Sequence, residues 1–365
     1  MSKSHTPSTT STTAKSVLKV GLDLGTNSSV FQVSKNGQSV KYDNDVFLTL
    51  VGYSKPGIIP GILPTDATTL FGDKALEYRL HLDLNWPLKS GFIEDLDSAQ
   101  DFALFLRDQI DPDGFNELWG VVGAPANSTP ERQKMIRRAF NGVFERVLVV
   151  PEPFLAAMGL RDEDKVKNDP KYVDPTKHSL IIDIGAGTTD CCLVQGYFPG
   201  PDDQMSINVA GDAVDENLAS LVAKRFPDIE LTRVTVTKLK EAHSYVGPKR
   251  SVKVKVYVGG KPCEIDFGQM LKDACEGLVD PVIDCVKQLF AHCDSEGVLQ
   301  VMKNIIVAGG GSQISGFGEM IQSRLHKEGY EDAKVTTPGD YRHLVAQGAM
   351  KIANNVRDDQ WQVPL

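Results

Sequence analysis

Two segments of this chain combine carboxylates, glycines and hydroxyls in the pattern that phosphate groups and a hydrated metal ion require. One reads DLGTNSS from Asp23, and the other reads DIGAGTTD from Asp183. A phosphate chain held with a divalent cation needs backbone N–H groups at close approach, hydroxyl donors, and carboxylates that hold the ion's water shell. Gly25, Thr26, Asn27 and Ser28 supply that set on one side, and Gly185, Ala186, Gly187, Thr188 and Thr189 on the other. Asp23 and Asp183 each end an apolar run, which points their carboxylates at the metal. A single D-x-G-T also arises wherever a turn needs Asp and Gly for backbone geometry. The matched pair is what favours phosphate.

Hydrolysis of a phosphoanhydride also needs a group that orients or deprotonates water beside the terminal phosphate. Glu152, in VPEPFLAAMGL, is the candidate; taken alone it is equally a carboxylate favoured by a helix N-terminus. Gly309, Gly310 and Gly311 would let a base or ribose lie against bare backbone, or would simply make a tight turn. The sequence contains neither G-x-x-x-x-G-K-[ST] nor G-x-G-x-x-G, so a P-loop or dinucleotide fold is not indicated. His178, His243 and His343 lack the spacing of metal ligands or triad partners and read as core or surface residues.

The elements that must carry these residues are legible in the hydrophobic pattern. Val17 to Val33 reads as strand, polar turn, strand, and His178 to Val194 repeats the plan. Their separation exceeds the ~20–50-residue period of solenoids, so the repetition implies two similar domains, each presenting one loop to a shared cleft. Asn127 to Phe144 begins with capping residues and Pro130 and continues as an amphipathic helix. Val147 to Leu160 reads as a strand, a proline-bounded turn carrying Glu152 and a helix start; Asn304 to Gly318 reads as a buried strand, the triple glycine and a helix entrance. Strands that end in glycine turns and lead into helices describe an α/β chain.

Composition narrows the class. The chain has 365 residues, 41% of them hydrophobic, which exceeds one ordinary domain. A formal net charge of -9 argues against a nucleic-acid partner, and the basic stretches Arg132 to Arg138 and Lys249 to Lys255 read as solvated faces. The six cysteines show no C-x-x-C pair and read as reduced core thiols. Residues 1–16 are rich in Ser and Thr and read as a disordered tail. With no long apolar run and no signal-peptide pattern, a cytoplasmic protein without direct membrane insertion is expected.

In this order, the two loops resemble those of the actin, sugar kinase and Hsp70 superfamily of ATPases. EPFLAAMGL is similar to the connecting segment that carries the hydrolytic residue, which gives Glu152 that role. VAGGGSQISG, including Ser312, resembles the adenosine motif. AGDAVDENLA, with Gly211 and Asp212, and VTKLKEAHSYVG resemble the nucleoside-contacting region, which points to Lys240 and Glu241. FGDKALEYR, NWPLKSGFIEDLD and VGAPANSTPERQKM favour actin over its cousins, and VPEPFLAAMGL, QGYFPGPDDQ and HLDLNWPLKSGFI resemble the bacterial actins that organise magnetosome chains.

The resemblance implies an actin-like ATPase fold: two ribonuclease H-like lobes around a nucleotide cleft, divided into four subdomains. The expected divisions are IA at 17–47 and 91–160, IB at 48–90, a linker at 161–177, IIA at 178–212 and 271–340, IIB at 213–270, and a C-terminal segment at 341–365. It further implies ATP or ADP with Mg²⁺ held by Asp23 and Asp183, self-assembly of the ATP form into a filament that disassembles after hydrolysis, and magnetosome-associated proteins as partners. Pro56, Pro60 and Pro64 fall where actin has its polymer-contacting loop, a departure from the family pattern. A sugar-type kinase and an Hsp70-like chaperone share the loops; no segment resembles a sugar pocket, and the chain ends at Leu365 where a chaperone would continue.

Overall fold

A computed structural model describes residues 16–258 and 260–365. The expected tail lies outside the described residues except for Ser16, which belongs to the fold: its carbonyl accepts from the Glu117 amide at 2.9 Å.

Each repeated segment forms the hairpin its pattern predicts. Val17–Leu24 pairs antiparallel with Ser28–Lys35, placing Asp23 opposite Val30. Ser179–Ile184 pairs antiparallel with Thr189–Val194, placing Asp183 opposite Asp190. The first strand of each hairpin then pairs in parallel with a strand from much later in the chain. Val17–Leu24 takes Glu117–Ala124, which in turn takes Arg146–Pro151; Ser179–Ile184 takes Ile305–Ala308, which takes Val335–Thr336. On the other side of the hairpins lie Gln38–Val40 in one sheet and Gln204–Ile207 in the other. Both sheets therefore share one strand order, and the internal repetition read from two loops extends to the topology of two lobes. Parallel strands buried on both faces need near-continuous apolar sequence, and all six residues of Ser179–Ile184 are buried.

Two insertions project from these lobes. In the first, Val51–Ser54 is the centre of a small sheet with Thr69–Phe71 and Leu82–Asn85, built around Leu50, Leu63, Ala75 and Leu82. The three prolines at 56, 60 and 64 occupy the loop joining the first two of these strands, where they cost no ladder hydrogen bond. In the second, helices Gly211–Arg225 and Arg233–His243 accompany the hairpin Lys253–Val258 and Lys261–Asp266.

Helices Glu152–Leu160 and Leu344–Asn355 run between the two main sheets. Their buried Leu155, Ala156, Leu344, Val345 and Ala349 share a core with Val121 and Val150 of the first lobe and Ile181, Cys192 and Ile306 of the second. The C-terminal segment is thus central packing, pinned further by Lys351, whose ammonium donates to the carbonyls of Met158, Gly159 and Arg161. Glycines set the helix separation: a Cβ on Gly348 would lie 1.9 Å from the Leu155 carbonyl oxygen, and one on Gly159 would lie 2.1 Å from that of Leu344. Gly348→Ala should gain about 1 kcal/mol of helix propensity, yet the backbone clash outweighs it. We expect a net loss of about 1–3 kcal/mol, read as a lower denaturant midpoint at unchanged slope; an unchanged midpoint would mean that the helices part freely.

Several local expectations are corrected. The amphipathic helix is Pro130–Ala139, shorter than the 127–144 span: Thr129 caps it by accepting from the Arg132 amide, and the last turn closes at Phe140. No turn separates Arg146–Pro151 from Glu152–Leu160, because the extended backbone of Pro151 is itself the cap. The triple glycine does not enter an α-helix directly; a short 3₁₀ turn, Gly310–Gln313, precedes Phe317–Lys327. Cys191, Cys192, Cys275 and Cys285 are buried, but Cys263 is exposed on the second insertion's hairpin and Cys293 is half-buried. The basic stretch 132–138 is largely solvated as expected, with Arg132, Lys134 and Arg138 exposed, while Arg132 also lies 3.4 Å over the Phe92 ring and Arg137 donates to the Val363 carbonyl.

Candidate functional site

The tips of the two hairpins face one another across a cleft of about 570 Å³ between the lobes. Asp23, Gly25, Thr26, Asn27 and Ser28 line one wall; Asp183, Gly185, Ala186, Gly187 and Thr188 line the other. The loops approach so closely that only glycine fits at 187, where a Cβ would sit 2.7 Å from both the Gly91 nitrogen and the Thr26 hydroxyl. That hydroxyl in turn accepts from the Gly91 amide at 2.9 Å. Thr49 holds the first loop by donating to the Gly25 carbonyl at 2.7 Å. The second loop is closed by the Gly185 amide bonding to the Thr188 carbonyl at 2.9 Å.

Behind the second loop, helix Gly211–Arg225 begins against it. The Gly211 and Asp212 amides donate to the Gly185 and Ala186 carbonyls at 3.1 and 2.7 Å. Lys240 donates to the Gly211 carbonyl at 2.9 Å and to Asp215 at 3.0 Å, so its charge is neutralised at the rim while Glu241 beside it also lines the cleft. Gly309, Gly310 and Gly311 form the floor, and Gly309 passes so close that a Cβ would be 2.3 Å from the Asp183 carboxylate. Two expected residues are not on the wall. Thr189 is buried, donating to the Val209 carbonyl at 2.7 Å, and the Ser312 hydroxyl closes its own turn on the Gly309 carbonyl at 2.7 Å. Both follow loop residues that do face the cleft, and strand alternation or turn geometry carries them inward.

Electrostatics set this cleft apart from an ordinary polar groove. Burial holds the Asp23 carboxyl up at about 7. Burial first, and then the charges of Asp23 and Asp190, push Asp183 up to about 8. Glu152 is raised well above the usual carboxylate range, again by burial first and then by the charges of Asp23, Asp190 and Asp183. Its place as the first residue of helix Glu152–Leu160 favours the anion, but desolvation and three like charges win. Gly123 makes room for it, since a Cβ there would lie 2.9 Å from the Glu152 Cγ. Asp190 is raised to about 6 by burial, against hydrogen bonds from Thr188, Ser206 and the Ala126 amide that favour its ionised form. The bond from Ala126, 2.7 Å long, crosses between lobes.

Such a group of carboxylates without a basic neighbour fits a hydrated divalent cation whose remaining ligands come from phosphate and water. Asp23 and Asp183, at the two loop tips, are the carboxylates that could hold it.

The fold and this double-loop cleft have known counterparts. The family model described as MreB/Mbl protein matches residues 18–360. The chain belongs to the MreB/Mbl family. It is 30% identical over 355 residues to the actin-like protein MamK of Paramagnetospirillum magneticum, covering 96% of each. The MamK double helical filament superposes with a TM-score of 0.83 at 29% identity, over 93% of this chain and 100% of that one. A non-polymerising MamK mutant bound to AMPPNP gives a TM-score of 0.64 at 30% identity, again over 93% of this chain and 100% of that one. The fold is therefore actin-like, and the narrower resemblance read from the motifs holds. Among the described residues no helix is long and apolar enough to cross a membrane.

Residues outside every motif also line the cleft, among them Asn44, Arg233, Tyr341 and Arg342. Asp190 lay inside the second loop motif and had no assigned role, although its charge bears on both Asp183 and Glu152. Its position opposite Asp183 in the hairpin register was the available signal.

Proposed function

We propose that this protein is an actin-like ATPase that binds ATP or ADP with Mg²⁺ between its lobes, assembles with itself into filaments in the ATP form, and loses those contacts after hydrolysis. The observation that carries the reading is the cleft itself: two loops of matching topology, glycine-close to one another, with Asp23, Asp183 and Glu152 gathered at their tips. The likeness to MamK, known as a double helical filament and bound to AMPPNP, supports both the nucleotide and the self-association.

In this reading the loop amides and the Thr26 and Thr188 hydroxyls bind phosphate. Asp23 and Asp183 hold the water shell of Mg²⁺, which supplies charge neutralisation of the phosphates. Lys240, Glu241 and Gly309 to Gly311 cradle the nucleoside. Glu152 takes a proton from water, for which a carboxyl raised toward neutrality is suited. The helices Glu152–Leu160 and Leu344–Asn355 are where the lobes pivot, within the four-subdomain division and its boundaries. Filaments of this kind serve in the cytoplasm, and organisation of magnetosome chains with magnetosome-associated proteins is the role that the MamK likeness favours.

Sedimentation tests the proposal. Purified protein should pellet with ATP and Mg²⁺ and stay in the supernatant without nucleotide, and negative-stain images of the pellet should contain filaments. Equal supernatant fractions in both conditions would overturn the assembly reading.

A further inference from the structure

We propose that Arg233 and Trp86 form a latch across the cleft mouth that slows nucleotide release. The inference rests on the nucleotide reading above and deepens it. Trp86 follows strand Leu82–Asn85 of the first lobe's insertion and is half-buried. Arg233 is the first residue of helix Arg233–His243 in the second lobe, and it lines the cleft. Its guanidinium lies 4.7 Å from the centre of the Trp86 ring, within the range of an attractive cation–π contact.

The same guanidinium stands 3.8 Å from Asp212, but the pair is half open to solvent on the Arg side, where exposed ion pairs contribute little. Arg233 and Asp212 both belong to the second lobe, so the aromatic contact is the one that joins the lobes. Two features connect the latch to the bound ligand. Asp212 is bonded through its amide to the Ala186 carbonyl in the second phosphate loop, so movement of that loop is passed to the acceptor that competes for Arg233. Lys240, at the nucleoside end, lies on the same helix two turns from Arg233, a span of about 10 Å along a rigid rod. Closure around a nucleotide brings both ends of that rod into place together, and Arg233 acts as a positioning residue.

Stopped-flow displacement of a fluorescent ATP analogue, mant-ATP, measures the latch directly. R233Q and W86L should each release the analogue about 3- to 10-fold faster than the parent, as expected for loss of one cation–π contact. R233K, which keeps a cation over the ring, should fall between. The double variant should be no faster than the faster single one, because both remove a single interaction. Release at the parent rate in both single variants, with thermal melting unchanged, would overturn the latch, as would fully additive effects in the double. Failure of the parent to bind mant-ATP at all would instead overturn the nucleotide reading on which the latch depends.

Discussion

Glu152→Ala is expected to slow phosphate release by about 10²- to 10⁴-fold, the range ascribed to a positioned general base. ATP-dependent pelleting should persist, since Glu152 stands at the end of a strand against Gly123 and is not what holds the phosphate loops closed. The physical reason lies in its surroundings. Burial, and then three neighbouring carboxylates, lift its proton affinity, the direction that a base beside a terminal phosphate needs. A hydrolysis assay on pelleted protein separates the outcomes: equal phosphate release by variant and parent removes Glu152 from the mechanism.

Asp183→Asn should have two opposite effects. Mg²⁺-dependent turnover should fall by at least about 10²-fold, as for loss of a group that stabilises developing charge. The nucleotide-free protein, however, should become more stable at pH 8. The folded Asp183 carboxyl sits at about 8 against 3.8 when free. Its contribution to stability is complete below the unfolded value and is lost as pH rises through the folded one. The parent without nucleotide should therefore melt progressively lower between about pH 4 and 8, and the variant should flatten that slope, gaining on the order of 2–5 °C at pH 8. Melting curves across this range check the sign. A variant that melts lower than the parent at pH 8 would show that Asp183 is a structural carboxylate, stabilised by partners rather than held under strain. A function-for-stability trade of this kind is common where a site gathers like charge.

The loop residues were legible because their chemistry is local. A strand that ends in Asp, followed by Gly and hydroxyl residues and a return strand, can be read within a dozen positions, and both hairpins formed at the expected places. Thr189 and Ser312 stand off the cleft wall for an equally local reason: one step along a strand turns the Thr189 side chain inward, and the 3₁₀ turn folds the Ser312 hydroxyl back onto the Gly309 carbonyl. Cys263 was misread as core since apolar residue type does not reveal that a two-stranded hairpin has an open face.

The sequence by itself determined the α/β class, the duplicated loop, the glycines that line the cleft and the candidate base at 152, because turn formation, strand pairing and backbone approach depend on near neighbours and on the absence of a Cβ. Only the tertiary structure decided that Asp190 accepts across the lobes from Ala126, that Leu344–Asn355 packs against Glu152–Leu160 with Gly348 on one helix and Gly159 on the other at the contact, and that Arg233 meets Trp86. Those contacts join segments far apart in the chain, and no periodicity encodes them. The raised carboxylates belong to the same class: burial lifts all four, and neighbouring charge adds to it at Asp183 and Glu152, only because the fold brings four different strands and helices of an otherwise ordinary acidic sequence to one cleft.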